Sequence, residues 1–496
     1  MTPVGYRLSA LFKEDMKNML KKVEISMITP DIKNRFLSIV GKDHYRDTPA
    51  EKLVYSYDAT PNYQSMPDAI IVPRSTGEVS AIVKICNENG IPIVPRGSGT
   101  NLCAGTCPTE GGVVLLFTHM NNILELDEEN LTITVQPGIV TLDLIHAVEA
   151  KGLFYPPDPS SMKISTIGGN INENSGGLRG LKYGVTRDYV LALEAVLPNG
   201  DIIRTGGKLA KDVAGYDLTR LFVGSEGTLC VITEATLKLV PMPETKQTML
   251  ALYQDIEAAA KSVSNIISNP IIPTTLEFLD QPTLEVVEDF AKIGLPTDVK
   301  AVLLIEQDGP PEVVARDMKR IEEVCVENDA VSVQLAKTEI EAEALRTARR
   351  SALSALARLK PTTILEDATV PRSEIAKMVK AINEIAERHE LKICTFGHAG
   401  DGNLHPTVAT DARDHDEMKR VEAAFEEIFA HAIDLGGTIT GEHGVGMMKA
   451  PYLEWKLGPE GIGAMKMIKQ SFDPTNIMNP NKVFAKESRK RVVITR

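Results

Sequence analysis

The segment that best indicates the architecture of this chain is Pro95-Arg96-Gly97-Ser98-Gly99-Thr100-Asn101. It follows a short apolar run at 91–94 that is typical of a strand. Its two glycines allow positive φ angles and a close approach to a ligand, and its Ser, Thr and Asn side chains add hydrogen-bond donors. We therefore interpret it as a loop that cradles a pyrophosphate.

The residues after this loop exclude two common types of phosphate-binding loop. A nicotinamide-type dinucleotide fingerprint needs a glycine at position 102 and then a helix, but this chain has Leu102 and a segment rich in Gly and Pro at 103–112. A Walker loop is excluded because no Gly-Lys-Ser/Thr follows. Taken alone, the loop would more simply be an ordinary surface turn.

Two further glycine-rich stretches favour a ligand. One runs through 165–184 and is preceded by Pro-Asp-Pro-Ser at 157–160, and the other is Gly-Ser-Glu-Gly-Thr-Leu at 224–229. Ordering three such loops costs chain entropy unless a ligand holds them. The pattern predicts one large, flat, phosphorylated cofactor.

Together with Gln-Pro-Gly at 136–138, these motifs resemble the FAD-binding domain of the vanillyl-alcohol oxidase type over residues 67 to about 241. The resemblance implies FAD, held non-covalently because the phosphate loop contains no histidine. It assigns to the cofactor site Pro95, Arg96, Gly97, Ser98, Gly99, Thr100, Asn101, Gly105, Pro137, Asp158, Pro159, Ser160, Thr166, Gly168, Gly169, Asn170, Asn174, Ser175, Gly176, Gly177, Tyr183, Gly184, Glu226, Gly227, Ile232 and Asn481.

Bulk properties exclude several classes of protein. The net charge of −13 over 496 residues argues against a nucleic-acid binder. No signal peptide and no apolar run of transmembrane length is found, which favours a cytoplasmic protein. The six cysteines include one close pair, Cys103 and Cys107, without a second pair or a histidine nearby, so packing is favoured over metal binding or redox work.

Four regions are expected along the chain. Residues 1–66 form an extension and lead-in, with an amphipathic helix in 1–27 that is either a docking helix or a partly ordered extension. Residues 67–241 form the FAD-binding domain, 242–475 the substrate and metal-binding domain, and 476–496 a return segment and tail. The fold class is α+β: the FAD-binding domain, a ferredoxin-like antiparallel substrate domain and a helical C-terminal region.

Periodicity gives the expected elements. The FAD region should hold strands at 69–72, 91–94, 113–117, 131–135, 201–204 and 231–239 and helices at 78–89 and 142–150. Strand–helix–strand units follow twice, at 248–253, 256–267 and 275–279 and at 301–306, 311–328 and 330–335. Doubling this unit predicts an antiparallel sheet with helices on one face.

A histidine-rich pair of motifs carries the chemistry. Phe-Gly-His-Ala-Gly-Asp-Gly-Asn-Leu-His at 396–405 follows a strand-like run, and its glycines make a turn that brings His398 and His405 together. Gly-Glu-His-Gly at 441–444 follows a helix at 417–435 and adds Glu442 and His443. Two imidazoles and one carboxylate supply three ligands for a catalytic divalent metal, zinc or else iron or manganese.

These motifs resemble the branch of the FAD family that contains D-lactate dehydrogenase, the glycolate oxidase large subunit and D-2-hydroxyglutarate dehydrogenase. The resemblance implies that His398, His405 and Glu442 bind the metal and that His443 is the base. It matches Arg349 to the arginine that binds the substrate carboxylate, with Arg346 and Arg350 as alternatives.

The expected reaction is the oxidation of a small 2-hydroxy acid to the 2-oxo acid. The metal and Arg349 hold the substrate, His443 takes the hydroxyl proton, and C2 passes a hydride to flavin N5. Since no cluster cysteines, haem motif or nicotinamide fingerprint is present, the electron acceptor is expected to be a protein, either electron-transfer flavoprotein or an iron–sulfur subunit. A homo-oligomer is possible.

Other interpretations remain open at this stage. They are an electron-relay flavoprotein without its own catalysis, a metal-dependent hydrolase, and a dehydrogenase of the D-2-hydroxyglutarate type. Lactate and glycolate are favoured as substrates because no extra basic cluster is visible near the motifs. At 471–484 a segment resembles the family's return to the flavin, where Asn479 or Asn481 either meets the ring or caps a turn. The basic tail after Phe484 is expected to be disordered.

Overall fold

The computed structural model describes residues 26–484. The expected helix in 1–27 lies almost entirely outside the described residues, as does the basic tail. The described chain forms three main sheets with helices packed on them. Its mixed α and β character agrees with the predicted fold class.

The first sheet carries the phosphate loop. Its strand order is β1-β2-β4-β3, with β2, β4 and β3 parallel, and β3 ends at Arg96, where the glycine loop begins. Ser75 caps the helix that precedes β3, and Gly90 ends it in the left-handed conformation. The elements are α1 (Pro30–Val40), β1 (Tyr45–Arg46), α2 (Pro49–Val54), β2 (Ala69–Ile71), α3 (Thr76–Asn89), β3 (Ile93–Arg96) and β4 (Val113–Leu116).

The second sheet is antiparallel and has the order β5-β6-β10-β8-β9. The predicted strands at 131–135, 201–204 and 231–239 belong to it, whereas β5 and β8 were not predicted. The elements are β5 (Ile123–Asp127), β6 (Thr132–Val135), α4 (Thr141–Glu149), β7 (Leu153–Phe154), α5 (Ile167–Glu173), α6 (Gly180–Tyr183), β8 (Val190–Val196), β9 (Ile202–Gly206), α7 (Leu218–Phe222), β10 (Val231–Lys238) and β11 (Val240–Pro241).

One predicted loop is a helix. The stretch at 165–170 was expected to be irregular because of its paired glycines, but α5 begins at Ile167. The side chain of Thr166 accepts a hydrogen bond from the N–H of Gly169 and so caps this helix. The N-cap and the burial of Ile167 and Ile171 together offset the low helix propensity of Gly168 and Gly169.

The third sheet has eight strands. Four of them have the order β15-β12-β14-β13, the antiparallel arrangement of a ferredoxin-like unit. The strands β18, β19 and β16 extend it, and β17 pairs with β19 beside β16. The elements are β12 (Thr245–Tyr253), α8 (Ile256–Ser268), β13 (Thr275–Asp280), α9 (Gln281–Ala291), β14 (Ala301–Gly309), α10 (Pro311–Glu327), β15 (Ser332–Leu335), α11 (Glu339–Arg350), α12 (Ala352–Leu356), β16 (Thr362–Leu365), β17 (Ala368–Thr369), α13 (Ile375–Arg388), β18 (Ile393–His398), β19 (Asn403–Thr410), α14 (His415–Asp434) and α15 (Leu453–Phe472).

The two helices of the predicted units, α8 and α10, pack on one face of this sheet as expected, but further helices cover its other face. Met249 and Ala251 of β12 pack with α8, α10, α13 and α14, whereas Leu250 and Leu252 pack with α9, α11 and α12 on the opposite face. Successive residues of a strand point to opposite faces. The run 248–253 is apolar at adjacent positions, so both faces must be covered.

No helix within residues 26–484 has the length and apolar composition needed to cross a membrane. All six cysteines lie in this range, and each is buried. Their burial agrees with the packing role expected for them.

Replacing Phe278 by alanine should destabilise the third sheet. Phe278 is fully buried in the middle of β13, so its removal should lower the free energy of unfolding by about 3–5 kcal/mol. Urea denaturation followed by far-UV circular dichroism measures this. Ile340→Ala is the matched control, since Ile340 is 83% exposed on α11 and its loss should change stability by less than about 0.5 kcal/mol. Equal effects of the two changes would contradict the assignment of the core.

Candidate active site

A β-hairpin brings the two histidines of the first motif together. His398 ends β18, the turn occupies 399–402, and β19 begins at Asn403. Phe396 pairs with His405 across the hairpin, so His398 and His405 lie on one face. Their rings are 5.1 Å apart and nearly perpendicular. This hairpin is the turn that the glycine pattern predicted.

Glu442 comes from a separate loop and completes the group. Its Oε1 lies 3.1 Å from His398 Nε2 and 3.3 Å from His405 Nε2. One ligand atom of each residue lies within 4.8 Å of the other two. Two imidazole nitrogens and a carboxylate oxygen are the donor set of a catalytic zinc, iron or manganese site. The residues present therefore fit a divalent cation.

Glu277 of β13 supports this group and was missed by sequence reasoning. It is fully buried, and its Oε1 lies 2.6 Å from His398 Nδ1. A carboxylate on the far nitrogen fixes the tautomer and leaves Nε2 free as a donor atom. Although burial opposes the charged form, Glu277 and Glu442 raise the pKa of His398. The available signal was a glutamate at a position of β13 that is otherwise surrounded by apolar residues.

The three arginines of α11 have different partners. Arg349 is 4% exposed, its Nη2 lies 2.6 Å from Glu277 Oε2, and its guanidinium lies over the ring of Phe396. Arg346 instead pairs with Glu306 at 2.5 Å, and Arg350 pairs with Asp158 at 3.1 Å. Of the three, Arg349 is the one that joins the histidine group.

Arg346 and Arg350 line a cavity of about 160 Å³. The sequence showed no basic cluster near the motifs, whereas this cavity collects Arg179, Arg346, Arg350 and Lys246 beside β13. Each of these cations is paired, with Asp158 taking two of the arginines. The cluster therefore adds little net positive charge near the histidines.

His443 lies directly beside the ligand group. Its ring stacks on that of His405 with centroids 5.1 Å apart, and its Nε2 lies 4.0 Å from Glu442 Oε1. On its other side Nδ1 lies 3.6 Å from Asp367 Oδ1. Burial lowers the pKa of His443 to about 4, so the ring is neutral at neutral pH and able to accept a proton.

Asp367 holds the loop that carries Glu442 and His443. Its Oδ2 accepts hydrogen bonds from the N–H groups of Gly441 at 2.6 Å, Glu442 at 2.8 Å and His443 at 3.2 Å. Its Oδ1 is paired with the buried ammonium of Lys449. Despite burial, the neighbouring Lys449 and His443 lower the pKa of Asp367. The sequence motifs gave no indication of this aspartate, which stands next to Glu366 between β16 and β17.

A separate cavity lies between the first two sheets, where the glycine motifs converge. A Cβ at position 97 would lie 2.2 Å from Thr166 Oγ1, and one at position 168 would lie 2.6 Å from Pro137 Cβ. Glycine is therefore required where the phosphate loop meets the start of α5. Among the residues assigned to the cofactor, those that line this cavity are Pro95, Arg96, Gly97, Gly105, Pro137, Thr166, Gly168, Gly169, Glu226, Gly227 and Ile232.

The other assigned residues do not line the cavity. They are Ser98, Gly99, Thr100, Asn101, Asp158, Pro159, Ser160, Asn170, Asn174, Ser175, Gly176, Gly177, Tyr183, Gly184 and Asn481. Gly176 instead faces the histidine group, because a Cβ there would lie 2.6 Å from Glu442 Oε2.

The return segment contributes Asn479 to the cavity rather than Asn481. Asn479 donates to the carbonyls of Gly105 and Glu226, whereas Asn481 donates to the Glu110 carboxylate. The side chain of Asn481 therefore forms a hydrogen bond outside the cavity. Phe117, Thr106, Asn172 and Glu173 also line the cavity and were not assigned from sequence.

Glu226 and Glu173 form a pair of buried carboxylates at the cavity wall. Burial and the proximity of Glu226 raise the pKa of Glu173 well above its usual range. Glu226 accepts hydrogen bonds from the N–H groups of Val445 and Gly446. Burial raises the pKa of both carboxyl groups, and the charge of Glu226 raises that of Glu173 further, so we assign the proton of the pair to Glu173.

Comparison with known proteins identifies both parts of the chain. Residues 67–206 match the family model of an FAD binding domain, and residues 242–483 match that of FAD linked oxidases, C-terminal domain. Glycolate oxidase subunit GlcD of Bacillus subtilis is 74% identical over 470 residues, which cover 95% of this chain and 100% of that protein. A D-lactate dehydrogenase of Anaerostipes hadrus is 36% identical over 484 residues, covering 94% and 99%.

The fold has close neighbours among solved structures. p-Cresol methylhydroxylase with substrate bound superposes with a TM-score of 0.77 at 18% identity, covering 91% of this chain and 96% of that one. The 4-ethylphenol oxidase from Gulosibacter chungangensis gives a TM-score of 0.73 at 18% identity, covering 92% and 97%. These likenesses confirm the vanillyl-alcohol oxidase type of fold.

The relatives and the family models together confirm the predicted FAD-dependent oxidoreductase. The glycine cradle between the first two sheets fits the cofactor that this class requires. The chain belongs to the family of FAD-linked oxidases that includes glycolate oxidase subunit GlcD and D-lactate dehydrogenase.

Proposed function

We propose that this oxidoreductase converts a small D-2-hydroxy acid, D-lactate or the achiral glycolate, to the 2-oxo acid. The observation that carries the proposal is the stacking of neutral His443 on a three-residue ligand group of His398, His405 and Glu442. The names of the two relatives, a glycolate oxidase subunit and a D-lactate dehydrogenase, point to the same substrate class.

Bound FAD and a bound divalent cation would supply the hydride acceptor and the Lewis acid that no side chain provides. FAD provides an acceptor for the hydride from C2, and a divalent cation held by His398, His405 and Glu442 provides a Lewis acid for the substrate hydroxyl. Glu277 holds His398 so that Nε2 faces Glu442. Asp367 holds the backbone of the loop that bears Glu442.

His443 is the proposed base. Its Nε2 faces the ligand group, and its lone pair is available because burial lowers the pKa of this histidine. After it takes the hydroxyl proton, the new positive charge lies near the Asp367 carboxylate, 3.6 Å from Nδ1. The negative charge of Asp367 would stabilise that imidazolium electrostatically.

Arg349 is the proposed contact for the substrate carboxylate. Its pairing with Glu277 uses Nη2, while Nε has no hydrogen-bond partner among the described residues. A guanidinium has five N–H donors, so it can hold Glu277 and still meet a substrate carboxylate. The same pairing keeps the guanidinium rigid beside His398.

The electrons are proposed to leave through a partner protein, electron-transfer flavoprotein or an iron–sulfur subunit. The relative in Bacillus subtilis is named as a subunit, which supports an assembly with other chains. An electron-relay flavoprotein without its own catalysis is the second candidate, because it would also hold FAD. That candidate does not require the ligand group or His443.

A panel of 2-hydroxy acids tests the reaction. Under anaerobic conditions D-lactate or glycolate should bleach the visible flavin band of the purified protein, and L-lactate should do so far more slowly. Elemental analysis of the same sample should find one zinc, iron or manganese ion per chain. A coloured protein that no 2-hydroxy acid bleaches would support the electron-relay candidate instead.

Replacing His443 by asparagine should slow flavin reduction by roughly 10²–10⁴-fold, because general-base assistance is lost. Flavin and metal contents should stay within about twofold of the wild type, which separates loss of the base from loss of a cofactor. Rapid-mixing absorbance with saturating substrate measures the rate. His415→Asn is the control, because His415 is exposed at the start of α14. A rate unchanged by His443→Asn would rule out the proposed base.

Replacing Glu277 by glutamine should weaken metal binding by roughly 10- to 100-fold, since it removes the carboxylate that orients His398. Titration of the metal-stripped, FAD-loaded protein with Zn²⁺ measures the dissociation constant. Glu285→Gln on α9 is the control, because Glu285 is about half exposed and pairs with Lys392. Equal Zn²⁺ affinities for Glu277→Gln and the control would contradict this role.

A further inference from the structure

The loop from Thr440 to Gly446 is held from both sides by buried carboxylates. Asp367, which follows β16 of the third sheet, accepts the N–H groups of residues 441–443. Glu226, which precedes β10 of the second sheet, accepts those of residues 445 and 446. The segment that bears Glu442 and His443 therefore spans the substrate side and the cofactor side of the molecule.

Glu226 uses both carboxylate oxygens for this contact. Val445 N lies 2.7 Å from Oε1, and Gly446 N lies 2.6 Å from Oε2. The same residue lines the cofactor cavity, and its backbone carbonyl accepts a hydrogen bond from Asn479 Nδ2 at 2.7 Å. One side chain thus touches the flavin cavity and the metal-bearing loop.

The backbone of Glu226 is in a conformation that disfavours side chains. Its φ is +54°, in the left-handed region, and it stands next to Gly227. A residue other than glycine in this region costs roughly 1–2 kcal/mol. Strain of this kind is found where the side chain has a function that the position requires. A glycine would relieve the strain but would lose the contact with the loop.

The wall of the cofactor cavity packs tightly against the loop at 440–446. Gly444 has φ +79°, and a Cβ there would lie 2.1 Å from Glu173 Oε2 and 3.2 Å from Glu226 Oε1. The thiol of Cys103 donates to the Gly444 carbonyl at 3.2 Å, and Val483 N donates to the Gly446 carbonyl at 2.8 Å. A shift of Glu226 must therefore move the backbone next to His443.

We propose that Glu226 is a positioning residue that couples occupancy of the flavin cavity to the affinity of the metal group. FAD in the cavity fixes the wall that contains Glu226, and Glu226 fixes residues 445 and 446, two and three positions after His443. The inference rests on the proposed function, because it assumes that His398, His405 and Glu442 bind a cation. Such coupling is reciprocal, so the cation must raise FAD affinity by the same factor.

The test measures this coupling in the full-length chain. The Zn²⁺ dissociation constant is determined in the wild type without FAD and with saturating FAD, and the FAD dissociation constant is determined with and without Zn²⁺. The expected wild-type factor is roughly 5- to 150-fold in both directions. In Glu226→Gln the factor should fall to about one, because an amide presents only one acceptor to the two N–H groups. The variant should still bind FAD.

Two further variants make the result specific. Glu194→Gln is the matched control, since Glu194 is buried in β8, contacts Thr76 and Thr233, and does not line the cofactor cavity; its coupling factor should equal that of the wild type. Glu226→Asp keeps the charge but shortens the side chain, so it should also lose the coupling. It serves in place of Glu226→Gln if circular dichroism shows that variant to be unfolded.

The outcomes separate the two proposals. Independent binding of FAD and Zn²⁺ to the wild type would overturn the coupling and leave the metal site intact, and this result does not depend on any variant folding. A wild-type coupling factor that persists in the Glu226 variants would assign the coupling to other residues. Failure of the wild type to bind Zn²⁺, Fe²⁺ and Mn²⁺ alike would instead overturn the metal-dependent reaction.

Discussion

The active region depends on pairing charges that are removed from water. Glu277, Arg349, Asp367 and Lys449 are each less than 5% exposed, and an isolated charge in such surroundings is costly. The charge of Glu277 is balanced by contacts with Arg349 and His398. Asp367 accepts hydrogen bonds from three N–H groups and pairs with Lys449. The pairings fix side chains that a solvated site would leave mobile.

This pairing explains how distant parts of the chain form one site. His398 and His405 come from a hairpin of the third sheet, Glu442 and His443 come from a loop, and Glu226 comes from the turn that precedes β10 of the second sheet. The loop has few hydrogen bonds of its own, and carboxylates from both sides supply its partners. Correct docking of the second and third sheets is therefore a condition for the ligand group to form.

Sequence reasoning found the residues with distinctive local patterns. The glycine loop at 95–101, the hairpin at 396–405 and the ferredoxin-like unit could be predicted because each depends on neighbours in sequence. Glu277 and Asp367 could not, because the cationic side chains that pair with these two carboxylates are far away in the chain. The same limit applies to Asn479 and Asn481, which differ only in where the return segment places them.

The density of buried charge is itself an argument for catalysis over an electron-relay role. Burying an ion pair rarely stabilises a protein, and replacing one with well-packed apolar residues often increases stability. A subunit that only held FAD would need the cavity between the first two sheets but not Glu277, Arg349, Asp367 and Lys449 around three histidines. Since perturbed and costly titratable groups concentrate where chemistry occurs, this arrangement favours a proton-transfer site that the fold maintains at the expense of stability.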